Sequence, residues 1–262
     1  MSKGKYYFSK SLEKGLRILA LFNRDTPILT QSEVAKLLGL NMTSTYRYIN
    51  TLVEMGYLEK DAKTKEISPS INCLMLCVNL MRATDNIRMI KEVVDRIHAE
   101  NNISIDVAFA ADDSLVRIYH REAKEVLTYS LPEFTRNCMH NTALGKAYLS
   151  SLQEDVIINK IKLMDLVAKT DKTITDKNIF IEEIKTTKKR GFALQMEEFL
   201  PGVLAIAAPL YDPLHGRGVG AVSFDFSVLQ HDIEEVVSQF GEMIQQTAKE
   251  LSELLPQGLE SR

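Results

Sequence analysis

Apolar residues follow a helical period in the first hundred residues of the chain and a strand period after that. Up to residue 100, apolar positions recur every three or four residues, which predicts a series of helices. These helices span 11–24, 31–38, 41–55, 71–81 and 87–100. From residue 105, apolar positions alternate with polar or small ones, as on a strand with one buried face. A helical front part and a sheet behind it are therefore expected.

The rear part mixes strands with further helices. Predicted strands cover 105–111, 115–120, 126–130, 192–196, 203–211 and 219–226, and predicted helices cover 142–151, 153–163, 176–190 and 232–255. A loop is predicted over 132–140. Strands that neighbour one another and carry helices on a face indicate an α/β domain with an antiparallel central sheet. The fold class of the whole chain is therefore expected to be α+β.

Residues 30–58 predict a helix-turn-helix. Thr30 and Glu33 fit a capping box, Gly39 can take the left-handed conformation that ends a helix, and Asn41 suits the N-cap of the second helix. The first turns of that helix carry donors suited to phosphate oxygens and base edges, namely Thr43, Ser44, Thr45, Tyr46 and Arg47. Taken alone, the pattern also fits an ordinary helical hairpin with a polar tip.

The residues that follow favour a winged helix. Strand-like pieces at 57–60 and 66–68 flank residues 61–65, which predicts a β-hairpin with lysines at its tip. Lys63 and Lys65 are expected to contact the DNA backbone as non-specific charges. With the helix-turn-helix, this hairpin predicts a winged helix-turn-helix DNA-binding domain over residues 1–70, with 41–55 as its recognition helix.

The distribution of charge supports this prediction. Residues 1–70 hold eleven Lys and Arg against seven Asp and Glu, a net charge of +4. Because the whole chain carries −3, the remainder carries −7. A basic front on an acidic body is typical of a DNA-reading module attached to a sensing domain. An ordinary solvated surface also gives differences of this size.

A stiff helix is expected to connect the two parts. The apolar positions over 71–81 have helical spacing, without Gly or Pro, which predicts a linker helix within residues 71–84. Two such helices packed side by side would join two protomers, and DNA-reading helices usually act in pairs. A homodimer, or a homotetramer built from two dimers, is therefore expected. The effector domain would then occupy residues 85–262.

Other classes of protein receive little support. No run of 18 apolar residues predicts a membrane span, and no apolar segment follows the first lysines as it would in a signal peptide. The three cysteines lack paired spacing, which indicates reduced thiols and a cytoplasmic location.

No catalytic residue, metal site or cofactor is predicted. His140 lacks a nucleophile motif and is interpreted as a hydrogen-bonded structural residue. Cys73 and Cys77 share a helix face, where they either ligate a metal or pack in a dimer seam; the missing second ligand pair favours packing. Glu197 and Glu198 are adjacent, so on a strand they would face opposite ways and could not form a carboxylate pair.

Four stretches together resemble the IclR family of bacterial transcriptional regulators. They are SLEKGL at 11–16, LVEMGYL at 52–58, MHNTALGKA at 139–147, and the residues from GFA at 191–193 through AIAAP at 205–209. They occur in the family's order and at its separations over almost the whole chain. Within the family, the chain looks closest to the branch that controls breakdown of aromatic acids.

The resemblance implies a winged-helix domain joined by a helix to a GAF-like effector domain. Carried across residue by residue, it places main-chain amide donors for an effector carboxylate at Ala143 and Leu144, at the start of a helix. The wall positions fall at Val126, Tyr129, Asn137, Val203 and Ala205, and the polar side chains at Gln195, Ser223 and Asp225.

Two of these positions depart from the family pattern. Gln195 stands where Asp is common, and Asp225 where a small hydroxyl residue is often found. A buried Asp225 disfavours a second carboxylate nearby unless it is protonated or paired. We therefore expect an effector with one acid group and a hydroxylated ring rather than a small keto acid such as pyruvate.

The function expected from the sequence is sequence-specific regulation of transcription. Operator DNA and a small organic, aromatic acid effector are the expected partners. Two alternatives stay open at this point: an architectural DNA binder without a ligand, and an enzyme with a regulatory DNA-binding domain.

Overall fold

The computed structural model describes residues 8–23, 26–82, 85–111, 113–124, 136–137 and 139–255. The chain separates into two compact units, residues 1–84 and 85–262. Each unit has a hydrophobic core of its own. No helix in these ranges is both long enough and apolar enough to cross a bilayer.

The first unit is a small helical domain with a three-stranded sheet. Its elements are α1 (Lys10–Leu19), β1 (Leu29–Thr30), α2 (Gln31–Leu38), α3 (Met42–Glu54), β2 (Leu58–Lys60), β3 (Glu66–Pro69) and α4 (Ile71–Arg82). The strands lie in the order β1-β3-β2 and pair antiparallel. Ile18, Val34, Ile49 and Ile67 are fully buried, so one apolar residue from each of α1, α2, α3 and β3 meets in the core.

The caps of the helix-turn-helix agree with the sequence. Thr30 and Glu33 form a reciprocal capping box at the start of α2. Gly39 ends α2 in the left-handed conformation with φ of 62°, and the Asn41 side chain accepts a hydrogen bond from the Ser44 amide. These local bonds fix both ends of the turn between α2 and α3.

Two features of the first unit differ from the prediction. The first helix begins after Ser9, whose hydroxyl oxygen accepts from the Leu12 amide, and not at Ser11; it ends at Leu19, short of the predicted residue 24. The two-residue strand β1 was not predicted. It pairs with β3 and extends the wing into a three-stranded sheet.

The second unit is an α/β domain around a six-stranded sheet. Its elements are α5 (Asp85–Asn101), β4 (Ser104–Ala111), β5 (Ser114–Arg121), β6 (Arg136–Asn137), α6 (Ala143–Ser150), α7 (Glu154–Leu163), α8 (Lys177–Arg190), β7 (Ala193–Met196), β8 (Val203–Tyr211), β9 (Gly218–Ser227) and α9 (Ile233–Glu253). All neighbours pair antiparallel in the order β6-β5-β4-β9-β8-β7. This confirms the predicted antiparallel central sheet.

The sheet separates two hydrophobic clusters. On one face, α5 and α9 pack against apolar side chains of β4, β8 and β9. On the other, α6, α7 and α8 pack against small side chains of the same strands. The predicted strand over 126–130 lies outside the described residues. The predicted loop over 132–140 contains β6, which pairs with β5 at the sheet edge.

Candidate DNA interface and effector site

The recognition helix exposes a polar tip. Thr43, Tyr46 and Arg47 are exposed on the first turns of α3, and Ser44 is partly exposed beside them. The Lys60 ammonium lies 5.5 Å from the centroid of the Tyr46 ring, so strand β2 of the wing contacts the same face of the helix. Helix tip and wing thus form one continuous polar surface, of the kind that contacts phosphates and base edges.

The structure corrects the assignment of Thr45. This side chain is fully buried, and its hydroxyl donates to the Asn41 carbonyl oxygen at 3.0 Å. It faces the core together with Ile49 and Leu52. Its side chain therefore cannot contact DNA as predicted. It anchors the helix start instead.

The wing tip is a tight turn that presents lysines. The Asp61 carboxylate accepts from the amides of Lys63 and Thr64, both at 2.7 Å, and this hydrogen bonding lowers the pKa of Asp61. Lys65 adopts a left-handed conformation with φ of 61°, and its ammonium donates to the Ala62 carbonyl. Lys63 is exposed at the same tip. The two lysines thus differ, because the Lys65 ammonium already has a partner within the turn.

In the second unit, α6 begins with the amides predicted to hold a carboxylate. The Thr142 side chain caps the helix by accepting from the Gly145 amide at 3.1 Å. The amides of Ala143 and Leu144 lie in the first turn, where a helix offers no acceptor for them. Both residues are buried, so this positive helix end lies within the domain.

Strands β8 and β9 bring four of the predicted effector residues together. Ala205 pairs with Asp225 across the two strands, and Val203 and Ser223 lie one step away on the same face. Val203, Ala205 and Ser223 are buried, and Asp225 is partly buried. Burial, reinforced by the nearby Asp106 carboxylate, raises the pKa of Asp225 to about 7.

Gln195 is placed differently from the other polar positions. Its amide oxygen accepts from the Glu198 amide at 2.9 Å, and its amide nitrogen donates to the Val203 carbonyl. The side chain therefore braces the turn between β7 and β8. Val126 and Tyr129 lie outside the described residues. Of Asn137 only the backbone is described, which pairs with Leu115.

A cluster of charges beside Asp225 was missed by the sequence analysis. Arg117 and Asp106 form a buried ion pair at 3.3 Å, and His120 Nδ1 lies 2.5 Å from the same carboxylate. These three residues share a narrow cleft with Val203 and Asp225. Hydrogen bonding to Asp106 raises the pKa of His120. We call Asp106, Arg117, His120 and Asp225 the charge cluster.

Family models match both units of the chain. The IclR helix-turn-helix domain matches residues 11–62, and the bacterial transcriptional regulator IclR C-terminal domain matches residues 79–253. This chain belongs to the IclR family. It is a DNA-binding transcription regulator with a C-terminal inducer-binding domain, and not an enzyme.

Individual members of the IclR family agree with this assignment. The HTH-type transcriptional regulator BhcR of Paracoccus denitrificans is 25% identical over 93% of this chain and 86% of its own length. A crystallised IclR regulator from a Silicibacter species shares the fold with a TM-score of 0.77 at 18% identity, over 96% of this chain and 98% of that one. The inducer-binding domain of PobR from Acinetobacter, solved as a double mutant with 3-hydroxybenzoic acid, has a TM-score of 0.58 at 23% identity, over 64% and 98%.

The residues considered for other chemistry have structural roles in this IclR protein. His140 is buried and its Nε2 lies 3.0 Å from the Val167 carbonyl oxygen, as expected of a structural histidine. Glu197 and Glu198 do not pair with each other, since Glu197 contacts Lys172 and Glu198 contacts Lys146. Both glutamates follow β7 and are not within a strand.

Proposed function

We propose that the first unit reads operator DNA through Thr43, Ser44, Tyr46 and Arg47, while Lys63 and Lys65 of the wing contact phosphates. The observation that carries this proposal is the exposed polar tip of α3, next to the wing. Arg47 is the side chain best suited to read a base, because a guanidinium can donate two parallel hydrogen bonds to guanine. DNA lies in the cytoplasm of a bacterium, and we place the protein there.

Replacing Arg47 by Ala tests the DNA interface. Footprinting on fragments upstream of the regulator's own gene should show weakened protection of the specific site, with affinity reduced about 5- to 150-fold, as expected for a base contact of about 1–3 kcal/mol. Arg88→Ala is a matched control, because Arg88 is exposed on α5 in the second unit. A retained footprint with Arg47→Ala would contradict the assignment. Lys63→Ala should instead weaken all sequences alike and lower the salt dependence.

The second unit is proposed to bind a small aromatic acid that changes operator affinity. The first-turn amides of α6 suit a carboxylate, and the pocket wall of Val203 and Ala205 suits an apolar ring. Ser223 and Asp225 add polar groups on the same face. The similar PobR domain holds 3-hydroxybenzoic acid, which supports an effector of this class.

Calorimetric titration with benzoate, 3-hydroxybenzoate, 4-hydroxybenzoate and pyruvate tests the effector class, with the Asp225→Ser variant alongside. We expect the ring compounds to bind more tightly than pyruvate. Pyruvate binding as tight as the ring compounds would overturn the aromatic assignment. Operator affinity that no acid changes would favour a ligand-independent DNA binder.

A homodimer or a homotetramer is the proposed assembly. Helix α4, within the proposed linker of residues 71–84, exposes large apolar side chains, namely Ile71, Leu74, Met75, Leu76 and Leu80. A stripe of this kind indicates a protein interface. The domains proposed on either side are residues 1–70 and 85–262. Light scattering of the wild type and of Leu74→Asp should show a dimer or tetramer that the substitution dissociates, and a monomeric wild type would contradict the proposal.

A further inference from the structure

A β-bulge builds the charge cluster. Val107 pairs with Tyr119 and Ala108 pairs with Arg117, so Ile118 is an extra residue in β5. In a regular strand, residues three apart point to opposite faces. The extra residue places both Arg117 and His120 beside Asp106, on the sheet face that also carries Ser223 and Asp225. Bulges commonly re-aim a side chain near a functional site.

The bulge leaves one ring nitrogen of His120 without a partner. Nδ1 is held by the Asp106 carboxylate, whereas Nε2 is buried and has no hydrogen-bond partner within the described ranges. A buried polar atom without a partner costs free energy, so an occupant that satisfies it is favoured. The two side-chain amide atoms of Asn141, next to the α6 cap, are buried and unpaired as well. Met139, Ala143 and Leu144, which flank Asn141, pack in one cluster with Leu115 and Ala108, on the same face of the sheet.

The charged groups around His120 Nε2 limit which ligand group can bind beside it. Asp106 and Asp225 are both acidic. If the ligand carried a second carboxylate that reached this cleft, the like charges would repel it. A hydroxyl group instead can accept from a protonated Nε2 while donating to the Asp225 carboxylate. Val203 and Asp225, which belong to the proposed effector site, line the cleft that His120 lines. His120 is therefore part of the lining of the proposed effector site.

We propose that His120, held in place by Asp106, binds a hydroxyl group of the effector and thereby makes the regulator selective for hydroxylated monocarboxylic acids. This inference rests on the proposed effector site, and it adds a specificity-determining residue and a defined second polar group on the ligand. The carboxylate would bind at the start of α6, and the hydroxyl between His120 and Asp225.

Two substitutions of His120 test the roles of its two ring nitrogens separately. In His120→Asn, the amide can replace the Nδ1 contact to Asp106 but does not reach the position of Nε2. In His120→Gln, the longer side chain can place an amide near the Nε2 position. Both variants are titrated as the full-length protein with benzoate, 3-hydroxybenzoate, 4-hydroxybenzoate and benzene-1,3-dicarboxylate, and thermal melting checks that each is folded.

We expect the wild type to bind one of the hydroxybenzoates about 10-fold more tightly than benzoate, which is the effect of one net hydrogen bond. In His120→Asn the ratio of hydroxybenzoate affinity to benzoate affinity should fall to about 1 to 2, and the benzoate affinity should change less than about 2-fold. His120→Gln should keep part of the ratio. A folded His120→Asn variant that keeps the full ratio would overturn the role of His120, and so would tighter binding of the dicarboxylate than of either hydroxybenzoate.

The titrations give a different result if the proposed effector site itself is wrong. If the wild type binds none of the four aromatic acids, the proposed aromatic effector is wrong and the role of His120 is wrong with it. If benzoate and the hydroxybenzoates bind equally well to the wild type, the effector site stands and only the hydroxyl selectivity is wrong.

Discussion

The two faces of the six-stranded sheet are built from the same strands but from opposite kinds of side chain. Toward α5 and α9, β8 and β9 present large apolar residues, namely Leu204, Ile206, Val222, Phe224 and Phe226. Toward α6, the alternate positions are small or polar, namely Ala205, Ala207, Ser223 and Asp225. A face of large interlocking side chains stabilises the fold, whereas a face of small ones leaves room for a ligand.

Buried polar atoms without a partner occur beside both clusters, and more of them lie on the α6 side. On the α6 side of the described domain, His120 Nε2, both amide atoms of Asn141 and Glu198 Oε2 are buried without a partner. Arg190 Nη2 and His231 Nδ1 are further atoms of this kind, beside Phe192 and Phe226 of the other cluster. Native proteins hold few such atoms, and each calls for an explanation. Several of them on one side of one sheet indicate that this side gives up some stability for binding.

The largest expected effect tests the apolar face. Phe224 is fully buried and packs edge-on against Phe240, so Phe224→Ala should lower the free energy of unfolding by about 4 kcal/mol. Ser223→Ala, one residue away on the opposite face, should cost less than about 1.5 kcal/mol, the value of one hydrogen bond. Urea denaturation of both variants measures the difference. Equal losses would show that the two faces do not differ in this way.

The next effect tests the ion pair under α6. The Lys146 side chain is 1% exposed and contacts Glu198 and the Leu194 carbonyl. Lys146→Met leaves Glu198 buried without its cation and should cost about 3 kcal/mol at pH 8. Burial raises the pKa of Glu198 and Lys146 counteracts this shift, so in Lys146→Met the folded state holds the Glu198 proton more tightly than in the wild type. The loss should therefore be smaller at pH 5 than at pH 8.

A double variant is the control for this ion pair. Lys146→Met combined with Glu198→Leu removes both charges and should recover much of the lost stability, since a buried pair replaced by apolar residues is often neutral. Urea denaturation again gives the measurement. A double variant less stable than Lys146→Met alone would show that Glu198 stabilises the fold without the lysine.

Local signals made the first unit predictable. Capping residues act within four positions of each other, so Thr30, Gly39 and Asn41 could be assigned from the sequence. The burial of Thr45 could have been found as well, because Thr45, Ile49 and Leu52 have the spacing of one helix face. Ser9 and Ser11 are equally good caps by residue type, and only the folded geometry separates them.

The charge cluster had no such signal. Arg117 and His120 are three residues apart, and the strand pattern assigns them to opposite faces. Only the pairing of β5 with β4 shows the extra residue at Ile118, and that pairing depends on contacts between strands. The element pattern of the second unit was therefore predictable, but the side chains that meet at its polar face were not.

The smallest expected effect concerns the pH dependence of the polar face. Burial and the nearby Asp106 raise the folded-state pKa of Asp225 from 3.8 to about 7. The folded state therefore binds this proton more tightly than the unfolded state, and stability falls as pH rises from about 4 to about 7. Asp225→Asn cannot lose a proton, so at pH 8 it should be more stable than the wild type; because the Asp225 side chain is partly exposed, solvent screening keeps this gain below the effects described above. At pH 4 the two should be equal.

The pH range of this difference separates Asp225 from His120. Asp106 and, to a smaller extent, Asp225 raise the pKa of His120, so the stability from protonated His120 is present below pH 6.5 and is lost as the pH rises above it. The change between pH 4 and pH 6 in the difference between the two unfolding curves therefore reports mainly on Asp225. A difference that does not change with pH would mean that folding leaves the pKa of Asp225 at its unfolded value. In that case the second carboxylate on the polar face would not lower the free energy of unfolding. Charge would then not contribute to the difference between the polar and the apolar face.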